Sequence, residues 1–220
     1  MKRAVIFGTT DFAEVASVYL REDAGYDVAA FTVDQDYIDR ESILGIPVVP
    51  FERLTELHAP GEVHLFCCVG YSRVNANRRE VFERCKALGY EMPAYVHSTV
   101  IRRPETTIGE GCFIFEENVI QPFVSIGENC VLWSGNHIGH HTVIGNNVFI
   151  ASHVVISGRC KIGDNCFIGV NATFRDGISI GSNGVIGAGS IILRDTEPEA
   201  VYRGQETPPH VRASHELRRI

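Results

Sequence analysis

Residues Thr142–Arg159 read TVIGNN VFIASH VVISGR, three six-residue units set end to end, each with isoleucine in third place. Followed outward in both directions, that third place holds a large apolar residue at fifteen consecutive steps of six, from Ile108 to Ile192, and only Leu132 and Phe174 are not isoleucine. A helix repeats its apolar face about every 3.6 residues and a strand about every second residue, so neither explains a step of six. Two other places keep the same step. Two residues before the isoleucine stands a mostly small residue, such as Cys112, Asn118, Cys130, Asn136, Cys160, Cys166 or Ala172. Three residues after it stands Gly or Asn in nine of fourteen units. Both tolerate a left-handed backbone, so this place is a corner. Each unit is then a short strand, a corner and an inward aliphatic side chain, and stacked units bury a core that no single unit forms alone.

The chain has 220 residues, at roughly 150 per domain one large domain or two small ones. Its formal charge is −7, from 20 Lys+Arg against 27 Asp+Glu, which gives no general attraction to nucleic acid or to an anionic membrane. Hydrophobic residues at 45% and charged residues at 21% exclude a disordered chain. No apolar run approaches the ~18 residues that span a bilayer. The start, MKRAVIFGTTD, has an apolar stretch too short for a signal sequence. Seven cysteines, an odd number without paired metal-type spacing, read as reduced thiols in a cytoplasmic protein. Cys112, Cys130, Cys160 and Cys166 occupy small inward places of the repeat, and Cys67, Cys68 and Cys85 an apolar strand and a helix, so all seven read as structural.

Before the repeats the pattern alternates. Arg3–Phe7 reads as a buried strand, Phe12–Arg21 as a helix, and Val28–Val33 as a second strand. Val63–Val69 reads as another strand and Asn75–Leu88 as a helix closed by Gly89. Such alternation implies a parallel sheet with helical crossovers, whose ligands bind at the carboxyl ends of the strands. Those ends are Gly8-Thr9-Thr10-Asp11, Asp34-Gln35 and Gly70-Tyr71. GTTDFA carries one glycine where a dinucleotide fingerprint needs three. Either Thr9 caps the first helix, or Thr9 and Thr10 hold a diphosphate at its N-terminus; the residues leave both open. Asp34 likewise either begins a turn or accepts a hydrogen bond from a ribose or a base.

The hexad pattern resembles the left-handed parallel β-helix, a three-sided column with about eighteen residues per coil. Residues 106–194 would make about five coils, roughly 24 Å tall at ~4.8 Å per strand. An α/β Rossmann-like domain followed by such a column resembles the sugar acyltransferases named for sialic acid O-acetyltransferase, whose best-understood members N-acetylate nucleotide-linked amino-deoxy sugars. The resemblance divides the chain into a nucleotide-sugar-binding domain at 1–97, an acyltransferase β-helix at 98–195 and a tail at 196–220. It implies acetyl-CoA as co-substrate, no metal, and a homotrimer with acetyl-CoA lying along the column between subunits.

The family's catalytic signature, a histidine followed by an acidic residue before an Ile/Leu-Gly unit, falls on His140-His141-Thr142-Val143-Ile144-Gly145. The resemblance therefore makes His140 the general base for the sugar amine and sets His141 where the orienting acid stands. The register agrees, because Ile138 points inward and His140 then falls at an exposed corner. An imidazole changes charge near neutrality, as this proton transfer needs. Gly158, Val170 and Ala188 correspond to acetyl-CoA contacts, and Thr10, Asp11, Asp34, Gln35 and Gly70 to sugar-nucleotide contacts. The chain departs from the pattern at Phe149, where many members carry a second histidine, at Trp133-Ser134-Gly135 for Asn-Thr-Gly, and at Gly204-Gln205-Glu206-Thr207 for Gly-x-Pro-Ala. Three alternatives remain: O-acetylation of a sialic-type sugar, zinc-dependent carbonate hydration using His137, His140, His141 and His153, and a non-catalytic repeat scaffold. The tail reads as polar and ends in a short basic helix, and Arg194, Arg203 and Arg212 read as solvated surface arginines, the alternative being that one of them reaches the phosphates of CoA.

Overall fold

The computed structural model describes residues 2–209, Val211 and His215, so the short basic helix expected at the end of the tail, with Arg212, lies outside the described residues. The N-terminal part is a five-stranded sheet of β1 (Arg3–Phe7), β2 (Asp27–Val33), β3 (Ser42–Ile43), β4 (Ile46–Pro50) and β5 (His64–Cys67), in the order β3-β4-β2-β1-β5. All neighbours run parallel except β3, which pairs antiparallel with β4. Ala4 to Phe7 are buried because helices cover both faces. One is α1 (Asp11–Glu22), whose Phe12, Ala13, Ala16 and Leu20 recur at helical spacing on its buried side. The others are α2 (Leu54–Leu57) and α3 (Ala76–Ala87). The β3–β4 hairpin and α2 were not foreseen, because Pro47 and Pro50 mask β4, which lies between β2 and the two-residue edge strand β3.

The hexads fold into a left-handed parallel β-helix of two-residue strands stacked on three flat faces. The first face carries Phe113–Ile114, Val131–Leu132, Phe149–Ile150, Phe167–Ile168 and Val185–Ile186. The second runs from Val119–Ile120 to Ile191–Ile192, and the third from Thr107–Ile108 to Ser179–Ile180. Every strand pairs in parallel with the one eighteen residues on, so that Ile126, Ile144, Ile162 and Ile180 form one inward column. All fourteen corner residues have left-handed φ between 54° and 74°. Asn118 and Asn136 are buried inside, where the Asn118 side chain accepts from the Asn136 N–H at 3.2 Å and Asn136 accepts from Val154 at 2.8 Å. The first face extends past the expected limits of 98 and 195: Tyr95–Val96 joins it at one end and Val201–Tyr202 at the other.

The two parts share one packed seam. Phe12 of α1 lies 5.8 Å, centroid to centroid, from both Phe113 and Trp133 of the column. Arg78 of α3 is fully buried, and among the described residues no carboxylate pairs with it. Its guanidinium donates to the carbonyls of Asn147 at 2.8 Å, Asn129 at 3.3 Å and Gly70 at 3.3 Å, and to the Asn75 side chain at 2.8 Å. Asn75 in turn donates to the carbonyls of Asn165 and Cys166, both at 3.0 Å. At the junction, the Asp23 carboxylate accepts from the Tyr95 hydroxyl at 2.9 Å and from the Ser98 N–H.

Candidate active site

The edge between the second and third faces carries the expected base. His140 and His141 are both exposed there, and His141 occupies the left-handed corner with φ 59°. The His140 N–H donates to the Gln121 side chain at 2.9 Å, one coil earlier. The two rings meet at their Nδ1 atoms, 3.1 Å apart, which leaves Nε2 of His140 as the ring nitrogen available for proton transfer. Below, the His140 ring lies against Gly158, where a Cβ would stand 2.7 Å from Nε2. Gly158 therefore supports the imidazole as well as offering a bare wall to a ligand.

Val170 and Ala188 lie on a different edge, between the first and second faces. They line one cleft of 360 Å³ together with Tyr71, Trp133, Phe149 and Ser152. Tyr71, Trp133 and Phe149 also line a second hollow, of 650 Å³, which reaches Thr10, Asp11, Arg40 and Gly70. Thr9, Thr10 and Gly70 continue into a third, of 440 Å³, at the carboxyl ends of β1, β2 and β5. One trough thus runs from the N-terminal sheet, through an aromatic throat, to the column. It brings Thr10, Asp11, Asp34, Gly70, Val170 and Ala188 together, and leaves His140, His141 and Gly158 of the same chain on another edge.

At its sheet end, Gly8 has φ 133° and a Cβ there would stand 2.6 Å from the Cys68 carbonyl, so β1 and β5 approach closely only because the residue is glycine. The N-cap of α1 is Thr10 rather than Thr9, and it makes no side-chain cap, so the capping alternative is not realised and first-turn N–H groups stay open to a ligand. Asp34 is paired with the Arg84 guanidinium, which stacks over Phe51 at 4.6 Å, so a ligand hydroxyl would share this carboxylate with Arg84. Gln35 is exposed with its N–H held by Glu52, outside the residues that line the trough.

Sequence reading missed the tie that fixes the throat. Tyr71 stands 5.0 Å from Phe149 and 4.6 Å from Phe167, ahead of three consecutive residues with positive φ: Arg73, Val74 and Asn75 at 51° to 66°. Such strain persists only where surroundings over-determine it, and here Asn75 and Arg78 do so through the column's carbonyls. An Arg among charged neighbours in NRREVFERCK gives no sign of burial. The four histidines of the zinc alternative are spread over one face and two edges, and among the described residues no three His, Cys, Asp or Glu side chains gather to hold a metal. Among the described residues no helix is long and apolar enough to cross a membrane.

Residues 159–194 match the hexapeptide repeat of succinyl-transferase, and residues 105–138 the bacterial transferase hexapeptide (six repeats). No protein of curated function matches the chain. Among solved structures, it is similar to perosamine N-acetyltransferase from Caulobacter crescentus in complex with CoA and GDP-perosamine, at 26% identity over 93% of this chain and 94% of that one, with a TM-score of 0.84. It shares its fold with the acetyltransferase domain of PglB from Neisseria gonorrhoeae in complex with acetyl coenzyme A, at 23% identity, 92% and 96% coverage and TM-score 0.84. It also shares it with WeeI from Acinetobacter baumannii, at 17% identity, 93% and 97% coverage and TM-score 0.79. The resemblance read from the sequence is thereby borne out: the repeats are those of transferases, and the whole-chain likenesses include acetyltransferases built on the same left-handed column.

Proposed function

We propose that this protein is an acetyl-CoA-dependent N-acetyltransferase acting on the amine of a nucleotide-linked amino-deoxy sugar, with His140 as general base. Acyl transfer is supported by the matched transferase repeats, and acetyl-CoA by the solved structures that hold acetyl coenzyme A or CoA. The observation that carries the acceptor is the unbroken trough from the carboxyl ends of β1, β2 and β5 to Val170 and Ala188. A nucleotide at the sheet end would have its phosphates near the uncapped start of α1, its sugar in the throat and its amine near the thioester.

The chemistry asks little of the protein. The amine attacks the thioester carbonyl, a C–N bond forms and the C–S bond breaks. Nε2 of His140 takes the proton from nitrogen, and the departing CoA sulfur takes it up as the cycle closes. Because one chain holds the trough and His140 on separate edges, the reading requires that a second copy bring its His140 edge to this trough, as in a homotrimer.

Mass spectrometry of products from UDP-, dTDP- and GDP-linked amino sugars, beside free sialic acids, tests the acceptor. A mass gain of one acetyl group on an amino-sugar nucleotide is expected, and acetylation of sialic acids alone overturns the reading. The shared site has its own test. His140→Ala and Val170→Trp, each inactive alone, should recover activity when refolded together, and no recovery places the whole site within one chain.

A further inference from the structure

Nine of the fourteen left-handed corners are Gly or Asn, and the exceptions are Glu117, Phe123, His141, His153 and Arg159. None of the five lies on the edge packed against α3. Three of them, Phe123, His141 and Arg159, follow one another in consecutive coils of the His140 edge. A bulky residue in a left-handed conformation is strained, and Phe123 has φ 66°. Within one chain burial does not compensate, because the residue is 55% exposed. The ring instead packs on His141, with centroids 4.8 Å apart and planes inclined at 37°.

That contact bears on the proton. In the Nδ1–Nδ1 bond between His140 and His141 one ring donates and the other accepts. His140 can take a proton at Nε2 only if its own Nδ1 carries hydrogen, so His141 must present a bare Nδ1 to it. An exposed imidazole free to rotate about its Cβ–Cγ bond would present that nitrogen only part of the time. We propose that Phe123 is a positioning residue, whose ring holds the His141 imidazole with Nδ1 toward His140 and so keeps His140 in the tautomer that can act as base. The proposal rests on the reading of His140 as base. Gln121 from the same preceding coil fixes the His140 backbone, and Phe123 completes the arrangement from above.

Phe123→Asn tests it, because asparagine suits the corner while removing the ring. The expected result is a fall in kcat of about tenfold, KM for both substrates unchanged, and a Tm held or raised by up to ~3 °C. Phe123→Tyr should keep kcat within about twofold. In a His141→Asp background, where the carboxylate accepts with either oxygen, Phe123→Asn should cost less than about twofold. The proposal is overturned by full turnover in Phe123→Asn, by a fall in kcat accompanied by a lower Tm or by dissociation of the oligomer, or by an equal cost in the His141→Asp background. His140→Ala measured in parallel separates the two readings. If it retains turnover the base assignment fails, whereas if it alone loses turnover only the role of Phe123 fails.

Discussion

The imidazole of His140 rests on Gly158, eighteen residues on in sequence and one coil below, so closely that a Cβ at 158 would stand 2.7 Å from both Cε1 and Nε2. Gly158→Ala is therefore expected to displace the ring while leaving the coil intact, since residue 158 is not one of the left-handed corners. Displacement approaching 1 Å can cost about 100-fold. A kcat reduced at least ~30-fold with Tm within ~2 °C of the parent is the expected pair of readings, from steady-state kinetics and calorimetry.

His140→Ala removes the proposed base itself. Turnover should fall by roughly 100-fold or more with KM little changed, because the exposed ring contributes nothing to the buried column. Light scattering on the variant should give the parent's molar mass. Near-parental turnover would reject the assignment.

Arg78 is satisfied entirely by carbonyls and by one amide oxygen. Arg78→Met keeps the bulk and leaves these buried acceptors unpaired, at a cost of about 3 kcal/mol or more. Arg78→Lys should recover only part of that, because an ammonium cannot span the fork between Asn129 and Asn147. Urea denaturation measures both.

The junction predicts acid sensitivity. Burial alone would raise the Asp23 carboxyl, but donation from Ser98 and from the Tyr95 hydroxyl outweighs it and holds the group below its ordinary value of 3.8. A carboxyl depressed on folding adds stability above its unfolded value, and that stability drains away as pH falls through the folded value. The parent should accordingly lose Tm more steeply than Asp23→Asn below about pH 4, as calorimetry across pH 2.5–6 would show. Parallel curves would contradict this.

All seven cysteines are free and buried. Burial pushes the Cys67 thiol up to about 12 and the Cys166 thiol up to about 11. A thiol reagent at pH 8 should modify less than about one group per native chain and all seven in denaturant. Rapid labelling of the native protein would contradict the structural role read for them.

The column was legible because its rule is local and repeated: each corner and each inward isoleucine falls where a step of six puts it, and even the left-handed His141 and His153 obey it. The main strands and helices of the N-terminal part were legible for the same reason. What the sequence concealed depends on contacts between distant segments. Arg78 reads as one more helical charge until Asn129 and Asn147, fifty and more residues away, supply its acceptors. The trough was hidden likewise, since Tyr71, Trp133 and Phe149 have no common spacing. Asp34 was seen as a ligand contact but not as the partner of Arg84.

The ties through Arg78 and Asn75 bolt the sheet end of the trough to the column. Under the proposed reaction the frame then works as a caliper, because the span from sheet to thioester is set before any substrate arrives. Which carbon of the acceptor bears the amine would be selected by reach rather than by a dedicated contact, and loosening the bolt would blur that choice before it slowed the reaction.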